Sequence, residues 1–233
     1  MKKIKYSEIT PEKIYNNRRS FIKSISIGAG SIAMTSLPFA GNALSEEKNK
    51  NTSYKDITTY NNYYEFGTSK SDPYINSQNF KTKPWTISIE GEIENPINIS
   101  MEEISEMFVS EERIYRLRCV EGWSMVIPWM GFSLSKLLSK VTLTSKAKYV
   151  EFESVYDPDQ MKGQRYPVLN WPYKEGLRID EALHPLTTVV TGLYNKKLPN
   201  QNGAPLRIFV PWKYGFKSAK AIVKIKLVEK MPT

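Results

Sequence analysis

Apolar and polar residues alternate in short stretches from one end of the chain to the other, and this is the strongest constraint on its fold. Trp85 to Gly91 ("WTISIEG") alternates with period two, the pattern of a strand with one face buried. Arg113–Arg118 alternates again, and "AKYVEFESV" (147–155), Leu206–Val210 and Ala221–Val228 add further strand candidates. Helical signals are few and short. Ser100 and Glu103 form a capping-box pattern that predicts a helix over roughly 101–108. "SLSKLLSK" at 133–140 sets Leu134, Leu137 and Leu138 on one side, and another short helix is expected near 179–183. Many strands with few short helices predict an α+β fold. "TTYNNYYEFGTSKSDP" (58–73) reads as an ordered loop, because its aromatics are mixed with Asn, Gly and Ser.

The charge is concentrated at the start of the chain. Residues 1–43 hold seven basic residues against two glutamates, so more than half of the overall +9 lies there. That placement removes the basis for a nucleic-acid partner. The same segment has a basic start, an apolar stretch broken by Gly28, Gly30 and Pro38, and small residues at Gly41 and Ala43, the three parts of an export signal. Its "NNRRSFIKS", with Arg18 and Arg19 paired, is similar to a twin-arginine signal, an address rather than an anchor. Residues 1–43 are therefore expected to be the signal, 44–56 ("LSEEKNKNTSYKD") a flexible polar linker, and 57–233 the functional domain. The expected location is the periplasm, reached already folded through the twin-arginine export machinery.

Cysteine and histidine each occur once, as Cys119 and His184. One cysteine excludes an intramolecular disulfide framework and any multi-thiolate zinc or iron–sulfur site. One histidine excludes a three-histidine metal site, and there is no haem-attachment pattern. Cys119 stands at the end of a strand candidate, flanked by Arg116 and Arg118. A nearby cation favours the metal-binding thiolate, although alternation sends both arginines to the face opposite Leu117. Residue chemistry alone leaves Cys119 open between soft metal ligand, nucleophile and small buried hydrophobe.

The stretch "RLRCVEGWSMVIPWMGFSLSKLL" (116–138) resembles the molybdenum-cofactor domain of the sulfite oxidase family, in which a cysteine of this setting ligates molybdenum. "YNNYYEFGTSK" at 60–70, "YDPDQMKGQ" at 156–164 and "QNGAPLRIFVPWKYGFKSAK" at 201–220 support the resemblance in the same order. It implies a fold of mixed sheets with short helices around molybdenum-molybdopterin, one per chain. Position by position, it implies Cys119 as the metal ligand and catalytic centre. Asn61, Tyr64, Glu65, Ser154, Asn202, Arg207, Ser218, Ala219 and Lys220 would hold the cofactor. Each has a plainer reading: Asn61 as a turn residue, Arg207 and Lys220 as solvated surface charges. Glu121 and Trp123 would shape the pocket or pack at the strand end, and His184 reads as structural.

The branch of the family that the chain resembles reduces methionine sulfoxide in oxidised exported proteins by oxygen-atom transfer. It draws electrons from a haem-bearing membrane subunit fed by the quinone pool. Rival readings are a sulfite-oxidising molybdoenzyme on the same fold and an exported binding protein with a decayed site. Members of that branch continue for several dozen residues beyond the position of Met231–Pro232–Thr233, so the expectation is either that the tail is dispensable here or that the chain is truncated, with core and substrate rim incomplete.

Overall fold

The computed structural model describes residues 50–232. The expected export signal at 1–43 and most of the 44–56 linker lie outside the described residues. Two five-stranded sheets carry the fold. The first runs β2 (Ile97–Ser100), β1 (Thr86–Gly91), β10 (Ile222–Val228), β5 (Tyr149–Ser154) and β6 (Lys174–Arg178). The second runs β3 (Glu111–Arg118), β4 (Ser124–Ser133), β7 (Thr188–Leu193) and β8 (Lys196–Lys197), with β9 (Arg207–Phe209) also paired to β7. In the first sheet β1 and β10 pair in parallel, Ile89 opposite Ile225, while the other neighbours are antiparallel. The sheet is completed only when the last strand returns to the first, and everything that builds the second sheet lies between them in sequence.

Alternation explains the core. Ile87 and Ile89 of β1, Val150 and Phe152 of β5, and Ile225 and Leu227 of β10 face inward and are buried together. Short helices cover this core. In α3 (Met101–Met107), Ser100 accepts from the Glu103 amide and the Glu103 carboxylate accepts from the Ser100 amide, so the expected capping box forms, and Ile104 is driven inward. In α4 (Leu134–Leu138), all three leucines are buried, and α5 spans Ile179–Leu183. A second cluster, with Ile57, Met125, Ile127, Trp129, Val190 and Phe209, packs beneath the second sheet.

Five strands were not foreseen: β2, β4, β6, the buried β7 and the two-residue β8. β4 hides behind Pro128 and Gly131. Pro128 is tolerated because its ring nitrogen points to the β7 side, at Pro128 just beyond the β7-paired stretch that begins at Trp129. β2 is short, and β6 ("KEGLR") is too polar to show a period. The linker boundary also shifts. Ser53 caps α1 (Tyr54–Thr59), accepting from the Asp56 amide, and the Thr52 amide bonds the Val126 carbonyl. Residues 52–56 are thus built into the domain. The ordered loop after them contains a short 3-10 helix at Tyr64–Phe66 and α2 (Asp72–Asn76).

One contact fixes that loop. A second 3-10 helix, Lys162–Arg165, lies against Tyr64–Glu65 so closely that a Cβ at Gly163 would stand 2.0 Å from the Tyr64 carbonyl oxygen. Gly163→Ala should therefore cost about 1–3 kcal/mol of stability as a local overpacking, read as a lower denaturant midpoint. An unchanged midpoint would show that the two segments do not pack this closely.

Candidate active site

A cavity of about 380 Å³ opens between the loop that follows α1, the β3–β4 hairpin and the loops flanking β9. Cys119 lies in its wall at the tip of the hairpin. Arg118 pairs with Ser124, the Cys119 amide bonds the Trp123 carbonyl at 2.9 Å, and the Gly122 amide returns to the Cys119 carbonyl at 3.2 Å. Gly122 takes φ +87°, the left-handed region glycine adopts without strain. The turn leaves the thiol partly exposed and facing the cavity. Two N–H donors reach its sulfur: the Asn62 side chain at 3.2 Å and the Glu121 backbone at 3.4 Å.

The hairpin is tied to the facing loop. Lys70 Nζ is 3.0 Å from the Glu121 carboxylate, and Trp123 Nε1 donates to the same group at 3.2 Å. Lys70 foremost, then Trp123 and Asn62, hold the Glu121 carboxyl below its usual range. Tyr60 meets Trp123 edge-on at 5.3 Å. Arg118, by contrast, reaches the Pro211 carbonyl rather than the sulfur, and Arg116 donates to Ser124 Oγ.

The same cavity is lined by Arg207 and Lys220, brought side by side by an isolated antiparallel bridge. Neither is a solvated surface charge. Arg207 is buried, donates to the carbonyls of Asn202 at 3.0 Å and Ser218 at 3.3 Å, and lies 5.2 Å from the Trp129 ring centre. Neither cation forms a salt bridge with a carboxylate of the described residues. Burial pushes Arg207 down to about 10 and Lys220 down to about 8, the latter despite the attraction of Glu65. The buried Glu65 carboxyl is itself raised by burial, with Lys220 opposing. Lys220 Nζ sits 4.7 Å over the Tyr63 ring.

The cavity wall also carries polar atoms that the protein leaves unsatisfied. Asn61 and Asn202 both donate their side-chain N–H to one acceptor, the Ile57 carbonyl, at 2.8 and 3.0 Å. Their buried Oδ1 atoms have no partner, and neither do Asn62 Oδ1 and the Trp129 indole N–H. Buried polar groups are normally satisfied. Free amide oxygens suit the N–H edge of a pterin, adjacent cations without carboxylates suit a phosphate, and a lone thiol suits a soft metal. This donor set fits a molybdenum–pterin cofactor. Among the described residues no cluster of three or more His, Cys, Asp or Glu could cage a metal, so an ion at Cys119 would take its other ligands from the cofactor.

Of the residues singled out in the sequence, Asn61, Tyr64, Glu65, Cys119, Asn202, Arg207 and Lys220 line the cavity together. Ser154, Ser218 and Ala219 do not. Ser154 ends β5 with its amide on the Tyr173 carbonyl and its hydroxyl buried without a partner. Ser218 Oγ accepts from the Val210 amide, and the Ala219 carbonyl accepts from the Ile208 amide. These two staple the loop that aims Arg207 and Lys220. Glu121 and Trp123 do line the cavity, whereas His184 packs edge-on against Trp212, 4.6 Å away and outside it. Asn62 and Trp129 were missed. Asn62 stands beside Asn61 in a polar loop, and Trp129 sits on the unforeseen strand β4.

The desolvation of Lys220 has a measurable consequence. In the unfolded chain Lys220 ionises near 10.5, against about 8 in the fold. Between those values the native state binds fewer protons, so stability of the cofactor-free protein rises with pH. Below about 8 the cost of the buried charge is present in full. Lys220→Met should therefore stabilise the cofactor-free protein at neutral pH, flatten that rise, and weaken cofactor retention. Parallel pH profiles for the two proteins in chemical denaturation would contradict the assignment.

Comparison with known proteins agrees with this site. The family model for the oxidoreductase molybdopterin binding domain matches residues 74–233. The chain is 51% identical to the protein-methionine-sulfoxide reductase catalytic subunit MsrP of Xanthomonas axonopodis pv. citri, over 97% of this chain and 74% of that protein. It is 48% identical to the protein of the same name from Burkholderia mallei, over 97% and 73%. In three dimensions it is similar to the sulfane dehydrogenase SoxCD of Paracoccus pantotrophus, with TM-score 0.57 and 12% identity. That match covers 96% of this chain and 60% of the other, and it speaks for the fold alone. With a family model over most of its length and relatives near half identity, this chain belongs to the molybdopterin-binding oxidoreductases.

Proposed function

We propose that the chain is a molybdenum-dependent methionine sulfoxide reductase acting by oxygen-atom transfer on residues of exported proteins. Its electrons come from a haem-bearing membrane partner linked to the quinone pool, and it works in the periplasm after twin-arginine export. The observation that carries the reading is one cavity lined by a single partly exposed thiol, Cys119, and by two adjacent cations, the buried Arg207 and the half-buried Lys220, neither in a salt bridge among the described residues. When bound, the cofactor supplies the two-electron, oxygen-accepting chemistry, which converts a sulfoxide to a thioether, water being the other product.

The chain's residues do the binding and the shaping. Cys119 is the protein's ligand to the metal. Arg207 and Lys220 neutralise the anionic end of the cofactor, a role that offsets the cost of burying both charges. Asn61 and Asn202, locked by their shared bonds to Ile57, present amide oxygens to pterin N–H groups. Glu65 and Tyr64 close the same side. Ser154, Ser218 and Ala219 support this wall from behind. One cofactor per chain fits one such cavity.

The mouth favours a neutral side chain over an anion. Its exposed members Tyr60, Val120, Leu169 and Phe216 are largely apolar and come from four different loops. The lysines beside the mouth are paired, Lys70 with Glu121 and Lys217, which lies over the Phe216 ring, with Glu175. A methionine sulfoxide borne on a polypeptide meets this rim more readily than sulfite does. With an artificial reductant, the molybdenum-loaded protein should reduce methionine sulfoxide at least about tenfold faster than it consumes sulfite at equal concentration. A reversed ratio would establish sulfite oxidation instead, and purified protein without molybdenum would establish a binding protein with a decayed site.

Cys119→Ser tests the thiol directly. The variant should lose sulfoxide reduction by a factor of about 100 or more. Its stability should stay within about 1 kcal/mol, because the residue is partly exposed at a hairpin tip. Full activity in this variant would remove Cys119 from the metal.

A further inference from the structure

We propose that Asn62 is a positioning residue for the thiol. Its side-chain N–H donates to Cys119 Sγ, draws electron density from the sulfur and raises the reduction potential of the molybdenum that this sulfur would ligate. The inference rests on the reading of Cys119 as the metal's protein ligand.

The geometry is specific. Asn62 Nδ2 lies 3.2 Å from Sγ across 57 residues of sequence, so the contact is made by tertiary folding and not by a local turn. Among the described residues the only other donor, the Glu121 amide at 3.4 Å, belongs to the hairpin itself and accompanies any sequence that makes that turn. Asn62 is the donor that a side chain chooses to supply. Its orientation follows from its neighbours: the N–H faces the sulfur and the Glu121 carboxylate, two acceptors toward which an amide oxygen could not turn favourably. Adopting that orientation leaves Asn62 Oδ1 buried in the cavity wall without a protein partner.

The loop is held in place to deliver this bond. The Asn61 amide bonds the Lys70 carbonyl at 2.9 Å, and Lys70 Nζ grips Glu121 on the far side of the thiol at 3.0 Å. These contacts tie the backbone beside Asn62 and the hairpin that carries Cys119 to one residue, Lys70. Hydrogen bonds to a ligating sulfur make it a weaker electron donor and are a recognised control on the potential of the metal it binds. A simple tether between loop and hairpin would need none of this chemistry at the sulfur.

Three variants of the molybdenum-loaded full chain separate the two roles. Asn62→Leu keeps the volume and removes the donor, Asn62→Asp keeps the shape and brings a carboxylate to the sulfur, and Asn62→Gln keeps an N–H. The readouts are molybdenum content and the molybdenum reduction potential followed by electron paramagnetic resonance. The potential belongs to the loaded fraction only, so partial loading suffices. Expected is a downward shift in Asn62→Leu, a larger one in Asn62→Asp and the smallest in Asn62→Gln, with changed g values in the first two. An unchanged potential in Asn62→Leu and Asn62→Asp overturns the proposal, whatever the metal content. Loss of molybdenum from all three, Asn62→Gln included, also overturns it by marking Asn62 as a tether. Cys119→Ser run in parallel keeps the failures apart. If Cys119→Ser leaves spectrum and potential unaltered, the ligand reading fails. If it alters them while the Asn62 variants do not, only the present proposal fails.

Discussion

Two adjacent positive charges, one buried and one half-buried, neither in a salt bridge among the described residues, are the constraint on which the site depends. Arg207 is held by backbone carbonyls and the face of Trp129, and Lys220 by the face of Tyr63 and the attraction of Glu65. Such an arrangement costs stability in the empty protein, since burial disfavours the charged form of each. A fold keeps a cost of this kind where a bound anion recovers it. The loop 201–220 is accordingly stapled at Val210–Ser218 and Ile208–Ala219, which fixes both cations in the wall of the cavity that Cys119 also lines.

The two sheets make that separation possible. The second sheet supplies the thiol from the β3–β4 hairpin and Arg207 from β9, both within one set of paired strands. The loop after α1 supplies the rest, and the Ile57 carbonyl binds it to the β9 side through Asn61 and Asn202. Ile57 itself is buried in the cluster under that sheet. The site therefore rests on packed elements at its back and on a clamped loop at its front, the combination that holds a large planar cofactor while leaving one edge accessible.

Much of this was legible in the sequence where a local rule governs. The capping box at Ser100, the alternating strands β1, β5 and β10 and the short helix at 179–183 all follow from patterns that span a few residues. β4 did not, because Pro128 and Gly131 argue against a central strand until the position of the ring nitrogen relative to β7 is known. β6 is charged along its length and shows no period. At the site, motif resemblance located the segments, and geometry sorted them. Asn61, Asn202, Arg207 and Lys220 face the cavity, while Ser218 and Ala219, in the same motif, hold the wall from behind. Asn62 carries no signal distinct from its neighbour Asn61; only the direction of its side chain separates a turn residue from a donor to sulfur.

The chain thus reads as a scaffold that contributes one soft ligand and a ring of polar anchors, leaving redox chemistry to the group it binds. Everything turns on whether Cys119 sulfur is bonded to the metal. X-ray absorption at the molybdenum edge tests this most directly. Comparing the protein with its Cys119→Ser variant, the account predicts that the number of sulfur neighbours around molybdenum falls by one. An unchanged sulfur shell in the variant would contradict it.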